Sequence, residues 1–176
     1  IGNFDGLHLG HQKLFSLAKN FKKKYSLKIG VLTFEPMPKM YFNNKIKNFR
    51  ISNQKQKLSL LSKFKVDFVI TKKFDKKFSK TKSIDFIKKI LVKKINAKFI
   101  FVSNNFRFGN KREGDVRQLI KYESMFDYKI IKPRPLLNKT KIISSSLIRS
   151  YLQKDKLDTV NKFLKRNWSI QGNVEK

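Results

Sequence analysis

The sequence predicts an α/β fold in which helices cover both faces of a parallel β-sheet. Short apolar runs rich in Val, Ile and Phe alternate along the chain with amphipathic helical segments, and polar or proline-containing loops separate them. In folds of this kind, ligands bind at the carboxyl ends of the strands. We therefore expect the functional residues in the loops that follow Phe4, Phe34, Val102 and Ile131.

The predicted strands are short and apolar. Buried strands are expected at residues 28–34, 66–71, 99–102 and 128–131, and residues 1–4 are expected to end a strand that runs into a glycine-rich turn. Prolines interrupt the chain after two of the strands, at Pro36, Pro38, Pro133 and Pro135. These breaks give the strands defined ends.

Helical spacing of apolar residues predicts the other elements. Helices are expected at residues 11–25, 54–63, 83–95, 115–125, 144–153 and 155–164. In the first of them, Leu14, Leu17 and Phe21 share one face, and Ser83 is a plausible N-cap of the third. Residues 39–52 have no regular pattern, and residues 104–115 form a polar loop that contains glycine.

Composition excludes several classes of protein. The 176 residues are enough for one domain with a core, and 17 Phe residues argue against disorder. Cysteine is absent, which excludes a disulfide scaffold, a zinc-thiolate site and thiol catalysis. No apolar run reaches the roughly 18 residues of a membrane span, so no membrane partner is expected. We expect a cytoplasmic protein. Because the sequence begins with Ile1 and stops abruptly at Lys176, we expect a fragment at both ends.

The net charge of +30 first suggests a nucleic-acid partner. The lysines, however, are spread along the whole chain, and neither an RRM-like signature nor a zinc finger is present. We therefore expect no nucleic-acid partner and attribute the charge to a basic background with affinity for anionic small molecules. A basic nucleic-acid-binding protein remains the alternative from a different class.

The first motif with chemical content spans Gly2 to His11, with the sequence G-N-F-D-G-L-H-L-G-H. Glycines let the backbone approach a ligand closely, and the helix that follows directs free N–H groups toward an anion. His8 and His11 can donate hydrogen bonds to phosphate oxygens in a transition state. The motif predicts a phosphate site; two surface histidines in a tight turn are the alternative.

The second motif, Ile143 to Arg149, places three serines at a helix start and an arginine one turn later. Hydroxyls, N-terminal amides and a guanidinium together can bind a second anionic group. A serine cap with a solvated arginine is the alternative for this motif alone.

Two further motifs follow predicted strands. Residues 103–115 read S-N-N-F-R-F-G-N-K-R-E-G-D, where a nucleotide contact is expected, although Phe106 and Phe108 are better explained as core residues. Thr33 to Pro38 reads T-F-E-P-M-P and could line a site for a flat ring, or could be only a turn.

Together, and in their order along the chain, the four motifs resemble those of the FMN adenylyltransferase (FAD synthetase) module of bacterial bifunctional riboflavin kinase/FMN adenylyltransferases, in the HxGH nucleotidyltransferase superfamily. The resemblance covers the chain from residue 2 to about residue 155. It implies a Rossmann-like nucleotidyltransferase fold, the substrates FMN and ATP, and Mg²⁺ carried with ATP. The implied reaction transfers AMP to FMN and gives FAD and pyrophosphate; another superfamily enzyme that acts on a different small phosphate is the alternative.

The resemblance also implies roles for individual residues. The implied catalytic residues are His8, His11 and Arg149. The implied ATP- and phosphate-binding residues are Gly2, Asn3, Phe4, Asp5, Gly6, Gly10, Asn105, Ser145 and Ser146. The implied flavin-binding residues are Thr33, Phe34 and Pro36, and no protein-only metal site is expected.

The end of the chain resembles the junction with a second domain. We expect residues 1–160 to form the nucleotidyltransferase domain and residues 161–176 to be a linker and the first strand of a truncated riboflavin kinase β-barrel, so that no kinase activity resides here. The chain departs from the family pattern at Met37, Ser103, Asn105 and Asp155. These departures bear on individual contacts more than on the activity.

Overall fold

The computed structural model describes residues 1–43, 45–46 and 49–172, and its helices alternate with strands as the sequence predicts. Its helices are α1 Leu9–Tyr25, α2 Pro38–Phe42, α3 Gln54–Lys63, α4 Lys76–Ser79, α5 Ser83–Asp85, α6 Val116–Lys121, α7 Glu123–Phe126, α8 Ser145–Leu152 and α9 Leu157–Leu164. A π-helix, Phe86–Lys94, continues α5, and short 3₁₀ helices span Asp5–Leu7 and Asn110–Arg112. None of the helices in the described part of the chain is long and apolar enough to cross a membrane.

The strands form two-stranded pairs. They are β1 Gly30–Glu35, β2 Phe68–Lys73, β3 Phe99–Phe101, β4 Arg107–Phe108, β5 Gly114–Asp115, β6 Lys129–Ile131, β7 Leu137–Asn138 and β8 Lys141–Ile142. β3 pairs with β6 in parallel, and β1 pairs with β2. The β4–β5 and β7–β8 pairs are short and antiparallel. The parallel pairing with intervening helices confirms the predicted α/β class.

The β1–β2 pair is also parallel. At one end Asp67 N donates to Ile29 O over 2.9 Å, and at the other Phe74 N donates to Glu35 O over 2.8 Å. Residue numbers therefore increase in the same direction along both strands, so the pair is parallel.

The chain divides into two compact units. Unit 1 consists of Ile1–Gly2, Leu32–Asn44 and Thr71–Arg134, and unit 2 consists of Asn3–Val31, Lys45–Ile70 and Pro135–Lys176. In unit 1, Gly2 N donates to Leu32 O over 3.1 Å and the Ile1 amino group donates to Phe101 O over 3.0 Å. Residues 1 and 2 thus lie between β1 and β3, although no strand is assigned to them.

Each unit has its own buried residues. Unit 2 contains one cluster of Ile51, Ile143, Ile148, Val160, Phe163 and Leu164, and a second of Phe4, Leu7, Phe15, Val31 and Leu61. In unit 1, the hydroxyl of the buried Tyr128 donates to Leu119 O over 2.7 Å, which pairs a polar group that would otherwise be costly to bury.

Two expected elements differ from the structure for tertiary reasons. β2 was expected to be buried, but Phe68 is 39% exposed, because β2 pairs only with β1 among the described strands and leaves an edge. Ser83 is not the expected N-cap: Lys82 holds that position, and the buried Ser83 donates its N–H to Glu113 Oε1 over 2.6 Å. The sequence could not reveal Glu113, which lies 30 residues away.

The segment 104–126 is less regular than expected. The polar loop contains the β4–β5 hairpin, and the expectation for Phe108 is confirmed, since it is buried, while Phe106 is half-buried and stacks on it at 5.6 Å between ring centroids. The helix expected over 115–125 begins with Asp115 as its cap and is interrupted at Tyr122, which separates α6 from α7.

The expected domain boundary at residue 160 falls within α9, whose Val160, Phe163 and Leu164 belong to one cluster. Residues 173–176 of the expected kinase strand lie outside the described residues. The division into domains therefore stays a prediction.

Candidate phosphate site

The glycine-rich turn of unit 2 has an unusual backbone. Phe4, Gly6 and Leu7 have positive φ angles of 49°, 77° and 40°. Such values are uncommon for bulky residues and favour glycine. Phe4 and Leu7 are both buried in one hydrophobic cluster, which offsets the cost of this conformation. A Cβ on Gly6 would lie 2.8 Å from Ile51 Cγ2, so glycine is required there for space as well.

The two histidines stack at the start of α1. Their ring centroids are 3.8 Å apart with an interplanar angle of 24°, and His8 occupies the N-cap position. Gly10 lies beside them: a Cβ there would be 3.1 Å from the His8 ring and 3.3 Å from Ile143 O. The small residue between the histidines is what allows the His8 ring and the start of α8 to approach.

Both histidines are held in the neutral form. Burial, and then the charge of Arg149, lowers the pKa of His8 to about 4. Burial also lowers the pKa of His11 well below its usual value. The Nδ1 atoms of both rings are buried and have no hydrogen-bond partner among the described residues. A neutral imidazole keeps one N–H donor, and its charged form is favoured when an anion arrives.

The start of α8 contacts the same turn. Ser144 caps the helix by accepting from Leu147 N over 3.2 Å, and Ser145 Oγ donates to Asp5 O over 2.9 Å. One turn into the helix, Arg149 Nη1 donates to Asp5 Oδ2 over 2.8 Å. Two helix N-termini, α1 and α8, thus meet at one turn, which is a favourable arrangement for binding anions.

The guanidinium of Arg149 has three further neighbours of different character. Its Nη2 donates to Ser146 Oγ over 3.4 Å, and its carbon lies 3.9 Å from the centroid of the Phe49 ring. The positive charge of Arg149 also acts on the His8 ring. These hydrogen bonds and the contact with the Phe49 ring therefore hold the Arg149 guanidinium in one orientation before any ligand binds.

Asp5 lies at the centre of this network and is only 4% exposed. Its Oδ1 accepts from Ile51 N over 2.9 Å and from Ser52 N over 3.3 Å, and its Oδ2 accepts from Arg149. Burial raises the pKa of Asp5, and the bonds from Ser52 and the charge of Arg149 oppose that rise. Three donors at 3.3 Å or less favour the carboxylate form.

Sequence patterns do not mark several residues of the site, one of which lies in the irregular segment 39–52. Ser52 Oγ accepts from Gly6 N over 3.1 Å, Arg166 Nη2 donates to Gly6 O over 2.9 Å, and the buried Lys57 acts electrostatically on Asp5. One signal was available: Asn53 and Gln56 form a reciprocal capping box, which marks the start of α3 immediately after this loop.

The structure brings together the expected site residues that lie in unit 2, whereas the other expected site residues lie in unit 1. Asp5, His8, His11, Ser145 and Arg149 are all within the network above. Gly2, Thr33, Phe34, Pro36 and Asn105 belong to unit 1.

Within unit 1, Thr33 and Phe34 are buried in β1, and the Glu35–Pro36 peptide is cis. Phe34 packs on Phe78 at 5.8 Å between ring centroids. Asn105 is exposed, and its Oδ1 accepts from Ser103 Oγ over 2.8 Å.

The donor set of the network suits a phosphate more than a bare cation. Imidazole, hydroxyl, guanidinium and helix-terminal N–H groups all donate. The nearby carboxylate of Asp5 is already bonded to Arg149 and two amides. Within the described residues, no group of three or more His, Asp or Glu side chains could hold a metal.

Comparison with known proteins supports a specific family. A profile described as FAD synthetase matches residues 1–147. A bifunctional riboflavin kinase/FMN adenylyltransferase of Buchnera aphidicola subsp. Schizaphis graminum is 40% identical over 175 residues, which is 99% of this chain and 56% of that protein. The protein of the same name from Escherichia coli strain K12 is 33% identical over 174 residues, with the same coverage of 99% and 56%.

A solved structure is similar over nearly the whole chain. It is described as a macrolide-efflux protein from Streptococcus pneumoniae, with a TM-score of 0.83 and 26% sequence identity. The match covers 98% of this chain and 59% of the chain of that structure. The likeness confirms the fold. This chain spans a little over half the length of the curated relatives it matches.

Proposed function

Because the chain belongs to the FAD synthetase family, we propose that it transfers AMP from ATP to FMN and so produces FAD and pyrophosphate. The observation that carries this proposal is the stack of two neutral histidines in one network with Arg149 and two helix N-termini. This arrangement supplies hydrogen-bond donors to several phosphate oxygens. It therefore fits a direct transfer between two phosphates.

In the proposed reaction, a phosphate oxygen of FMN attacks the α-phosphorus of ATP. The new P–O bond forms as the bond from the α-phosphorus to the oxygen that bridges to the β-phosphorus breaks, and pyrophosphate takes that electron pair. No covalent enzyme intermediate is needed, so the protein contributes positioning and charge stabilisation.

His8, His11 and Arg149 are the proposed catalytic residues. The imidazoles donate to oxygens on which charge increases in the transition state, and the Gly10 amide lies in the first turn of α1 beside them. Ser145, Ser146 and Arg149, at the start of α8, take the β- and γ-phosphates and then pyrophosphate.

The remaining substrate contacts are also proposals. For the nucleotide we propose Asn3, Phe4 and Gly6 of the turn and, separately, Gly2 and Asn105. For the flavin we propose Thr33, Phe34 and Pro36. The aromatic rings packed around Phe34, those of Phe74 and Phe78, support a preference of this region for flat ligands.

Mg²⁺ is proposed to enter as part of the ATP complex, held mainly by phosphate oxygens and water. The bonds already made by the Asp5 carboxylate support a cation held by the substrate instead of by a protein cage.

The curated relatives are bifunctional and longer than this chain. We propose that residues 161–176 lead into their kinase half, so that phosphorylation of riboflavin belongs to a part of the relatives that the present residues do not cover. We further propose that the enzyme is cytoplasmic, that its partners are small molecules, and that it has no nucleic-acid partner.

The test is formation of FAD from FMN, ATP and Mg²⁺, followed by chromatography. We expect the purified protein to form FAD, and His11→Ala to lose about 10² to 10³ in rate while remaining folded. Pantetheine phosphate and glycerol phosphate, supplied with ATP or CTP, form the comparison panel. A folded protein that makes no FAD but converts one of these would move the reaction to another small phosphate.

A further inference from the structure

Both carboxylate oxygens of Asp5 accept hydrogen bonds from other residues of the protein. Oδ1 accepts two backbone N–H groups, from Ile51 and Ser52, and Oδ2 accepts from Arg149 Nη1. At 4% exposure, little of the side chain remains accessible to a ligand. A nucleotide phosphate would in any case be repelled by a carboxylate at short range.

Arg149, in contrast, is oriented but not enclosed. Its side chain is 21% exposed, and it is fixed by the 2.8 Å bond to Asp5 and by the Phe49 ring at 3.9 Å. A guanidinium has five N–H donors, and the bonds to Asp5 and Ser146 engage only two of its nitrogens. Its fork can therefore contact an anion while the opposite side is anchored.

From this geometry we infer that Asp5 is a positioning residue: with the Phe49 ring, it holds the guanidinium of Arg149 in place for the transferring phosphates and does not itself bind the nucleotide. The inference rests on the proposed function, and it replaces the direct ATP contact suggested for Asp5 by the motif. Preorganised charge is effective because the protein does not have to reorient it during the reaction.

The loop at residues 49–52 then has a function that its irregular sequence did not indicate. Its amides fix one carboxylate oxygen of Asp5, its Phe49 ring covers Arg149, and Ser52 Oγ accepts from Gly6 N. Trp168 Nε1 in turn donates to Ile51 O over 2.9 Å. The position of Arg149 thus depends on contacts from well outside its own helix.

A double-mutant cycle tests the inference. Wild type, Asp5→Asn, Arg149→Gln and the double variant are compared for kcat and KM of FAD formation and for affinity for inorganic pyrophosphate by calorimetry. Asp5→Asn is expected to lower kcat about 10²-fold, as expected when a reacting group is misplaced by about 1 Å. On the Arg149→Gln background, the same change is expected to add less than about 3-fold, because the residue it positions is gone.

Equal losses on both backgrounds would overturn the inference, since Asp5 would then act without Arg149. Ser52→Ala is the matched control: it removes a hydrogen bond of the same loop but leaves the Asp5–Arg149 pair, so its small effect should be the same with or without Arg149. Thermal unfolding of every variant separates a loss of fold from a loss of position.

Two further outcomes are informative. If Asp5→Asn does not fold, Phe49→Leu replaces it in the same cycle, and independent losses would again overturn the inference. If the wild type makes no FAD but binds pyrophosphate, the proposed function fails while the calorimetric cycle still tests the inference. Absence of both FAD formation and pyrophosphate binding would overturn both.

Discussion

Units 1 and 2 hold their candidate residues in different ways. In unit 2, Arg149 donates a hydrogen bond to Asp5 and its charge acts on His8, and both Asp5 and His8 are buried. In unit 1, Phe34 is held by packing between aromatic rings, and Asn105 is exposed with a bond to Ser103, two residues away. Long-range polar bonds fix the first set, whereas ring packing and one hydrogen bond between near neighbours hold the second.

This difference implies that the two units tolerate change unequally. A buried polar network loses the pairing of several groups when one member is removed, whereas an exposed side chain loses one bond that water can replace. We therefore expect substitutions of the candidate residues in unit 2 to affect both stability and rate, and substitutions of the candidate residues in unit 1 to affect mainly affinity. Three predictions test this contrast.

The largest effect is expected for Gly6→Ala in unit 2. A positive φ costs a non-glycine residue about 1 kcal/mol, and overlap of the new Cβ with Ile51 adds about 1 to 3 kcal/mol. Gly109 of unit 1 has the same φ of 77°, and a Cβ there would also approach 2.8 Å, to Ser83 Cα. Urea unfolding should show similar losses for both variants, but only Gly6→Ala should also lower kcat of the remaining folded protein by more than about 10-fold.

Gly172→Ala is the matched control, because among the described residues, apart from its chain neighbours, no atom lies within 4 Å of the Cβ it would add. It should change neither stability nor rate. An equal loss of kcat in Gly6→Ala and Gly109→Ala would remove the distinction between the two units.

A smaller effect is expected from acid. The folded state lowers the pKa of His8 from 6.5 to about 4, so the unfolded chain binds a proton first as pH falls. The free energy of unfolding should decrease between about pH 6.5 and pH 4, by at most about 1.36 kcal/mol per pH unit for this group. Both histidines of the chain lie in unit 2, so amide exchange in this window should increase there.

The helix-capping carboxylates of unit 1 should respond only at lower pH. Asp75 and Asp115 have pKa values below the usual 3.8, each mainly because the carboxylate accepts a backbone N–H as a helix cap. Their contribution is present above that pH and is lost as pH falls through the lowered pKa. His8→Gln should flatten the response of unit 2 between pH 6.5 and 4; an unchanged profile would mean that His8 is not the group responsible.

The smallest effect is expected for Asn105→Ala. Loss of one neutral hydrogen bond at an exposed position costs about 0.5 to 1.5 kcal/mol, or about 2- to 10-fold in kcat/KM for ATP. Stability should not change. Steady-state kinetics with varied ATP measures this, and Ser103→Ala, which removes the donor to Asn105, is the control. A loss above 100-fold would show that unit 1 also contains a residue essential to the reaction.

Much of this molecule follows from local sequence patterns. The bounds of α3 were predicted to the residue, and α1 and α8 to within two residues, because apolar spacing is a property of the element itself. The motif that we propose to bind phosphate is equally local, since its glycines and histidines lie within ten residues. The π-helical form of 86–94 and the interruption at Tyr122 were not predictable in this way.

The sequence by itself determined the α/β class, the order of the main elements and the residues that make a phosphate site chemically possible. Only the tertiary structure decided that His8 is neutral and that Asp5 faces Arg149 and the loop at residues 49–52. The physical reason is distance along the chain. Burial and electrostatic pairing depend on partners that the fold brings from 46 to 160 residues away in sequence, and no local pattern contains them.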